Sequence, residues 1–271
     1  MFVDSHCHLA FPELARQLPS ILQAMQQARV AGALCICITL EEFETVHGMA
    51  MAHPHLWASV GVHPDTEGLA EPTEDLLCEL ASRPRVVGMG ETGLDYYRLE
   101  GRSVADMEWQ RDRFRAHIRA ARRTGLPLII HTRSASDDTL AILKEEGAGP
   151  ADGGPGGVFH CFTETMDVAR AGLDLGFDIS FSGIVSFRNA ADLRDVARYV
   201  PLARCLIETD SPYLAPVPHR GKQNTPAFVP HVATVLAQEK GLAVEAIAEA
   251  TTRNFERLFR VKVPPLAEAH A

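Results

Sequence analysis

The chain has 271 residues, 46% of them hydrophobic and 23% charged, which favours one large globular domain over two small ones. Its formal net charge of −9 excludes a general electrostatic attraction to nucleic acid, although a metal site can supply positive charge locally. The N-terminus lacks a basic stretch followed by an apolar run, and no apolar run reaches the length of a membrane span. Neither a signal peptide nor a membrane segment is therefore predicted.

Apolar segments of strand length alternate with segments of helical periodicity along the chain. Strands are predicted at 2–3, 33–38, 56–60, 85–89, 126–130, 158–159, 177–181 and 204–207. Helices are predicted at 20–31, 41–53, 73–82, 105–124, 136–146, 166–175 and 190–199, with two more between 229 and 259.

Eight strand–helix units in a chain of this length predict a (β/α)8 TIM barrel of the α/β class. The alternative is an open doubly wound sheet, but no Gly-x-Gly-x-x-Gly fingerprint follows the first strand. We expect residues 1–263 to form the single domain and residues 264–271 to form a flexible tail. The Gly/Pro-rich segment 147–157 is predicted to be a loop, not a linker, because the alternation continues across it.

The six cysteines are scattered and show no zinc-finger spacing. Cys35 and Cys37 share an apolar run, which is typical of core thiols rather than of a redox pair. Reduced thiols predict a cytoplasmic protein.

Imidazoles and carboxylates follow six of the predicted strands. They are His6 and His8 after the first strand, then His63, Glu91, His131, His160 and Asp210 after later ones. The carboxyl ends of all barrel strands meet at one mouth, and these side chains are metal ligands by type. An ordinary polar rim explains any one of them, but the full set predicts a metal site.

Two of these acids lie in informative surroundings. Glu91 stands among glycines, which allow close backbone approach to a carboxylate that bridges two cations; an exposed acid in a glycine-rich turn is the alternative. Glu208 and Asp210 leave the last strand on one face, so one can bind metal while the other supports it. Two solvated rim carboxylates are the alternative there.

Seven motifs carry a resemblance to a known family. They are DSHCHL at 4–9, GVHP at 61–64, GETGLDYY at 90–97, LIIHTR at 128–133, HCF at 160–162, ETDSPYL at 208–214 and RGKQNTP at 220–226. Together they resemble the TatD family of metal-dependent deoxyribonucleases, within the amidohydrolase-type TIM-barrel superfamily. The resemblance covers nearly the whole chain.

This resemblance implies a metal-dependent hydrolase that cleaves DNA phosphodiester bonds with two divalent ions, Mg²⁺ or Mn²⁺, with Zn²⁺ also suited to the imidazoles. One ion would lie among His6, His8, Glu91 and Asp210, and the other among Glu91, His131 and His160, with Glu91 bridging. Asp210 would orient or deprotonate the attacking water, supported by Glu208. DNA would be bound through phosphate contacts at the barrel mouth, from His63, Arg220 and Lys222.

Two departures from the family stand out, Thr92 in place of an aliphatic residue and the long loop 147–157, which we expect to alter access to the mouth. Other functions stay open: an aminoacyl-tRNA deacylase, a small-molecule amidohydrolase, or a non-catalytic binding protein. Tyr96 and Tyr97 are either a base-stacking face or packing residues. The sequence does not indicate the oligomeric state.

Overall fold

Eight parallel strands form one sheet in which each strand pairs with the next along the chain. In the computed structural model, which describes residues 1–266, they are β1 Phe2–Cys7, β2 Val30–Cys35, β3 Leu56–Val60, β4 Val86–Asp95, β5 Leu128–Arg133, β6 Gly157–Phe159, β7 Asp178–Phe181 and β8 Cys205–Ile207. The helices are α1 Pro12–Ala15, α2 Leu18–Gln27, α3 Phe43–Ala52, α4 Glu74–Ala81, α5 Glu108–Thr124, α6 Ser136–Glu145, α7 Met166–Asp174, α8 Ala191–Tyr199, α9 Val229–Lys240 and α10 Val244–Phe259.

The sheet curls until β1 meets the segment that follows β8. There the Asp210 N–H donates to the His6 carbonyl, and the His8 N–H donates to the Ser211 carbonyl. The predicted (β/α)8 barrel is confirmed, and the doubly wound alternative is wrong. These hydrogen bonds also bring the first motif, which contains His6 and His8, next to the motif that contains Asp210.

Alternation along the strands separates two apolar layers, because successive side chains point to opposite faces. Ile130 and Ile207 belong to the outer layer under the helices. Ile129 and Leu206 belong to a second cluster, together with Phe259 at the end of α10. The strands are therefore buried on both faces, which explains their continuous apolar runs.

β4 and β5 run further than the sequence predicts. β4 continues to Asp95 and β5 to Arg133, and these two residues are register partners. The glycine-rich stretch around Glu91 is therefore strand, and the turn alternative is wrong. As a result, Glu91 and His131 lie within strands rather than after them, and His6 likewise lies within β1, which ends at Cys7.

The Gly/Pro-rich loop lies at the opposite end of the barrel from its predicted place. It joins α6 to β6, and the Gly156 carbonyl accepts from the N–H of Leu128 at the start of β5. An ideal Cβ on Gly149 would lie 2.6 Å from the Leu175 carbonyl oxygen, so the loop packs on the turn after α7. The expectation that it alters access to the mouth is wrong, because helix-to-strand loops lie at the amino ends of barrel strands.

Of the predicted tail, residues 264–266 are described and residues 267–271 lie outside the described residues. Leu266 packs against the cluster that contains Val3 and Val263. The domain boundary at 263 stays a prediction. Among the described residues, no helix has the length and apolar character needed to cross a membrane.

Candidate metal centre

Glu91 lies on β4 between glycines at which the neighbouring strand β5 leaves no room for a side chain. Gly93 has φ 135°, and an ideal Cβ there would lie 1.9 Å from the His131 carbonyl oxygen. Gly90 has φ 149°, and its Cβ would lie 2.6 Å from the Ile129 carbonyl oxygen. Only glycine tolerates both this backbone conformation and this spacing, so the flanking glycines permit the close approach that their sequence indicated.

The two carboxylate oxygens of Glu91 face two different groups of imidazoles. Oε2 lies 3.2 Å from His6 Nε2 and 3.9 Å from His8 Nε2. Oε1 lies 3.1 Å from His131 Nδ1 and 2.8 Å from His160 Nε2. His6 and His8 point the same way, as alternate residues of an extended segment should. Glu91 therefore stands between two sets of candidate ligands.

Asp210 completes the group on the β1 side. Its Oδ1 lies 3.3 Å from His8 Nε2 and 3.7 Å from His6 Nε2. Its φ of 54° turns the chain directly after β8. Asp210 therefore lies where its sequence position predicted, beside both histidines of the first motif.

Glu208 lies behind His160 rather than in the open part of the site. The Glu208 side chain is fully buried, and Oε1 lies 3.3 Å from His160 Nδ1. The same oxygen accepts from the Cys161 N–H at 2.7 Å. A buried carboxylate on the far nitrogen of an imidazole orients the ring, so this geometry matches the supporting position expected for Glu208 and not a solvated rim acid.

His63 approaches the cluster from β3. Its Nε2 lies 3.3 Å from Glu91 Oε1, and its Nδ1 contacts the Asp65 carboxylate. The backbone beneath it is anchored to α5, because Arg113 Nη1 donates to the His63 carbonyl at 2.8 Å and the Val62 N–H donates to His117 Nε2 at 3.0 Å. His63 thus lies among the candidate ligands.

Burial and neighbouring charges shift the pKa values of these groups in opposite directions. Burial alone would raise the pKa of Glu91, but the neighbouring His160, His63 and His6 outweigh it and lower that pKa well below its usual range. Burial alone would lower the pKa of His63, but Glu91 and Asp65 raise it to about 10. For Asp210 the effect of burial is outweighed by His8 and His6, so its pKa is lowered and it is ionised at neutral pH.

The donors present fit divalent metal ions. Within residues 1–266, the buried His6 Nε2 makes no aligned hydrogen bond although it lies 3.2 Å from Glu91 Oε2, and buried polar groups in folded proteins rarely lack such a bond. The rings of His6 and His160 stack 3.9 Å apart, so their nitrogens crowd together. Ligand atoms within 4.8 Å of one another are offered by three sets: His6, His8 and Glu91; His63, Glu91 and His131; and His6, His160 and Glu208.

The cluster lines a cavity of about 610 Å³ at the barrel mouth. Asp95 and Arg133, which the sequence did not mark as site residues, also belong to its wall. Asp95 Oδ2 lies 3.1 Å from His131 Nε2, and Arg133 lines the rim. The sequence signal for Asp95 was its place in the GETGLDYY motif. It follows Glu91 by four residues, an even spacing that puts both side chains on the same face of a strand.

Arg220 and Lys222 are exposed and are not among the residues that line this cavity. The Arg220 guanidinium carbon lies 3.6 Å from the centre of the Phe187 ring. Any contact they make with a substrate therefore lies outside the cavity.

The model of a family described as TatD related DNase matches residues 3–260. The uncharacterized metal-dependent hydrolase YcfH of Escherichia coli K12 is 47% identical over 262 residues, covering 96% of each chain. The 3'-5' ssDNA/RNA exonuclease TatD of Escherichia fergusonii is 31% identical, covering 95% of this chain and 98% of its own. The crystal structure of YJJV, a TatD homologue from Escherichia coli K12, superposes with a TM-score of 0.87 at 30% identity, covering 96% of this chain and 98% of that one.

Proposed function

The chain belongs to the TatD family of metal-dependent hydrolases, and on this premise we propose that it is a deoxyribonuclease that removes nucleotides from DNA ends. The observation that carries the proposal is the buried Glu91 carboxylate, whose two oxygens face two separate groups of imidazoles. A carboxylate in this position suits a bridge between two cations, which is the arrangement used for phosphodiester hydrolysis. The exonuclease named among its relatives supports the same class of substrate.

Each oxygen of Glu91 defines one proposed ion site. His6, His8 and Asp210 would hold the first ion together with Glu91, and His131 and His160 would hold the second, also with Glu91. The proposed active form contains two Mg²⁺ or two Mn²⁺ ions, and the four imidazoles also suit Zn²⁺. When bound, such ions supply positive charge to the phosphate and lower the pKa of a coordinated water.

The protein's own groups then position water and substrate. Asp210 is ionised because its pKa is lowered, so its carboxylate can accept a proton from the attacking water. Glu208 holds His160 from behind, and Asp95 holds His131 in the same way through the other ring nitrogen. His63 projects beside Glu91, where its N–H can donate to a phosphate oxygen.

The cavity volume supports a strand end as the part of DNA that enters. About 610 Å³ lies within the range of sites that enclose one small ligand, which favours the end of a strand over the side of a duplex. Arg220 and Lys222 are proposed to contact phosphates further along the strand, outside this cavity. All six cysteines are free thiols, which supports a reducing compartment such as the cytoplasm.

The test is hydrolysis of end-labelled single- and double-stranded DNA after metal removal and reconstitution with Mg²⁺, Mn²⁺ or Zn²⁺. Shortening from one end is expected, and it should be lost in Asp210→Asn and retained in Asp167→Asn, which changes an exposed acid on α7 in the same way. An aminoacyl-tRNA and a panel of amides are assayed in parallel. Hydrolysis of either of these without DNA cleavage would show that the substrate class is wrong.

A further inference from the structure

Arg133 and Tyr97 form a stacked pair at the rim of the cavity, on the β4 and β5 side. Arg133 follows His131 by two residues in β5, so both side chains leave the same face of the strand. The guanidinium carbon of Arg133 lies 3.6 Å from the centre of the Tyr97 ring. Two residues of strand advance about 6–7 Å, which places Arg133 one step outside the metal-ligand cluster.

The guanidinium of Arg133 is available to a ligand. Within residues 1–266, its side chain makes neither a hydrogen bond nor an ion pair, unlike Arg111 and Arg113, which bind Asp138 and Glu71. Stacking on an aromatic ring uses the flat face of a guanidinium and leaves the N–H groups at its edge free. Those N–H groups match two oxygens of one phosphate.

The charge of the cavity makes this arginine significant. The wall carries four carboxylates, Asp65, Glu91, Asp95 and Asp210. Among the described residues that line the cavity, Arg133 is the one Arg or Lys side chain. An anionic chain longer than the group held at the metal centre therefore passes the Arg133 guanidinium as it leaves the cavity.

We infer that Arg133 and Tyr97 form a phosphate subsite, in which Arg133 binds the phosphate next to the bond that is cut and Tyr97 holds the guanidinium flat. This inference rests on the proposed phosphodiesterase function. It identifies the neighbouring phosphate as a second part of the substrate that the protein binds. The ligand is a nucleotide phosphate, either a diester within a strand or a terminal monoester. A substrate with one phosphodiester and no neighbouring phosphate leaves the subsite empty.

The test compares two thymidine oligonucleotides, the dinucleotide TpT with one phosphate and the trinucleotide TpTpT with two. Arg133→Ala should raise KM for TpTpT about tenfold or more, the expected loss for a hydrogen-bonded charge pair, and leave KM for TpT within twofold. kcat should change little, because the contact is made before and during the reaction. Arg133→Lys should be intermediate, since it keeps the charge and loses the planar fork.

Matched variants separate this effect from general damage. Arg170→Ala removes another arginine that stacks on an exposed tyrosine, Tyr199, on the outer helices and should leave both substrates unaffected. Tyr97→Phe should behave as wild type, whereas Tyr97→Ala should raise KM for TpTpT by less than Arg133→Ala does. Replacing the neighbouring phosphate of TpTpT with a neutral methylphosphonate should weaken binding of the trinucleotide to wild type. It should leave binding to the Arg133→Ala variant unchanged.

An equal KM increase for TpT and TpTpT in Arg133→Ala would overturn the inference. So would equal sensitivity of wild type and variant to the methylphosphonate. If wild type cleaves neither oligonucleotide, the proposed function fails, and fluorescence anisotropy with labelled TpTpT still decides the subsite. A Kd about tenfold weaker in Arg133→Ala supports it, and an unchanged Kd refutes it.

Discussion

Acidification should destabilise the folded chain through one buried imidazole that lies outside the metal centre. His117 on α5 is fully buried; its Nδ1–H donates to the Arg113 carbonyl at 2.8 Å, and its Nε2 accepts from the Val62 N–H at 3.0 Å. Burial lowers the pKa of His117 from 6.5 to about 4. Protonation would also put a proton on Nε2, which has to accept a hydrogen bond.

The size of the effect follows from this pKa difference. Between pH 6.5 and about 4 the unfolded chain binds the proton and the folded chain does not, so the free energy of unfolding falls as pH falls. The stability that neutral, buried His117 contributes is fully present above pH 6.5. It is lost as the pH falls from 6.5 through the folded-state pKa of about 4. At 1.36 kcal/mol per pKa unit, about 3 kcal/mol is at stake.

Urea unfolding of wild type and His117→Gln at several pH values from 7.5 to 4 measures this directly. At pH 7.5 the variant should be less stable than wild type. Glutamine offers an acceptor for the Val62 N–H and does not titrate, so the variant should lose less stability than wild type on acidification. The gap between the two curves should narrow by about 3 kcal/mol from the upper to the lower end of this range. Other titrating groups cancel in the difference, and parallel curves would refute the buried, neutral state of His117.

Asp210→Asn should lower kcat on an oligonucleotide by about 10²–10⁴-fold, because an amide cannot take a proton from water, while Arg220→Ala should mainly raise KM. Steady-state kinetics at saturating metal would distinguish the two, and a near-normal kcat in Asp210→Asn would show that Asp210 does not accept the proton. Chelation should abolish hydrolysis and lower the Tm, and Mg²⁺ or Mn²⁺ should restore both; full activity after exhaustive chelation would contradict a metal mechanism. Gly93→Ala should prevent correct closure of β4 on β5, because its Cβ would lie 1.9 Å from the His131 carbonyl oxygen. A wild-type melting curve for that variant, measured by circular dichroism, would show that the strands can separate at no cost.

The residues of the candidate metal centre could be grouped from the sequence because each one lies near the carboxyl end of a local apolar run. The barrel rule brings such ends to one mouth whatever the details of packing. Identity of the side chains then indicates metal chemistry. For this reason the sequence grouped His6, His131 and Asp210, which are far apart along the chain, and in the structure all three lie around Glu91.

The contacts between elements were not predictable in the same way, because they depend on register and on the direction of side chains across strands. Asp95 reaches His131 only because β4 and β5 pair through Asp95 and Arg133. His117 reaches the Val62 N–H only because α5 packs against β4, beside the segment that follows β3. Neither partner is marked by a local pattern.

The order of strands and helices, and the residue types at the barrel mouth, thus follow from the sequence by itself, because apolar periodicity and turn residues act over a few positions. The tertiary structure decided which oxygen of Glu91 faces which histidines, and it placed the loop 147–157 at the amino ends of the strands. It also left the Arg133 guanidinium stacked on Tyr97 at the rim. These depend on distances between segments remote in sequence, which are set when the whole barrel closes and its layers pack.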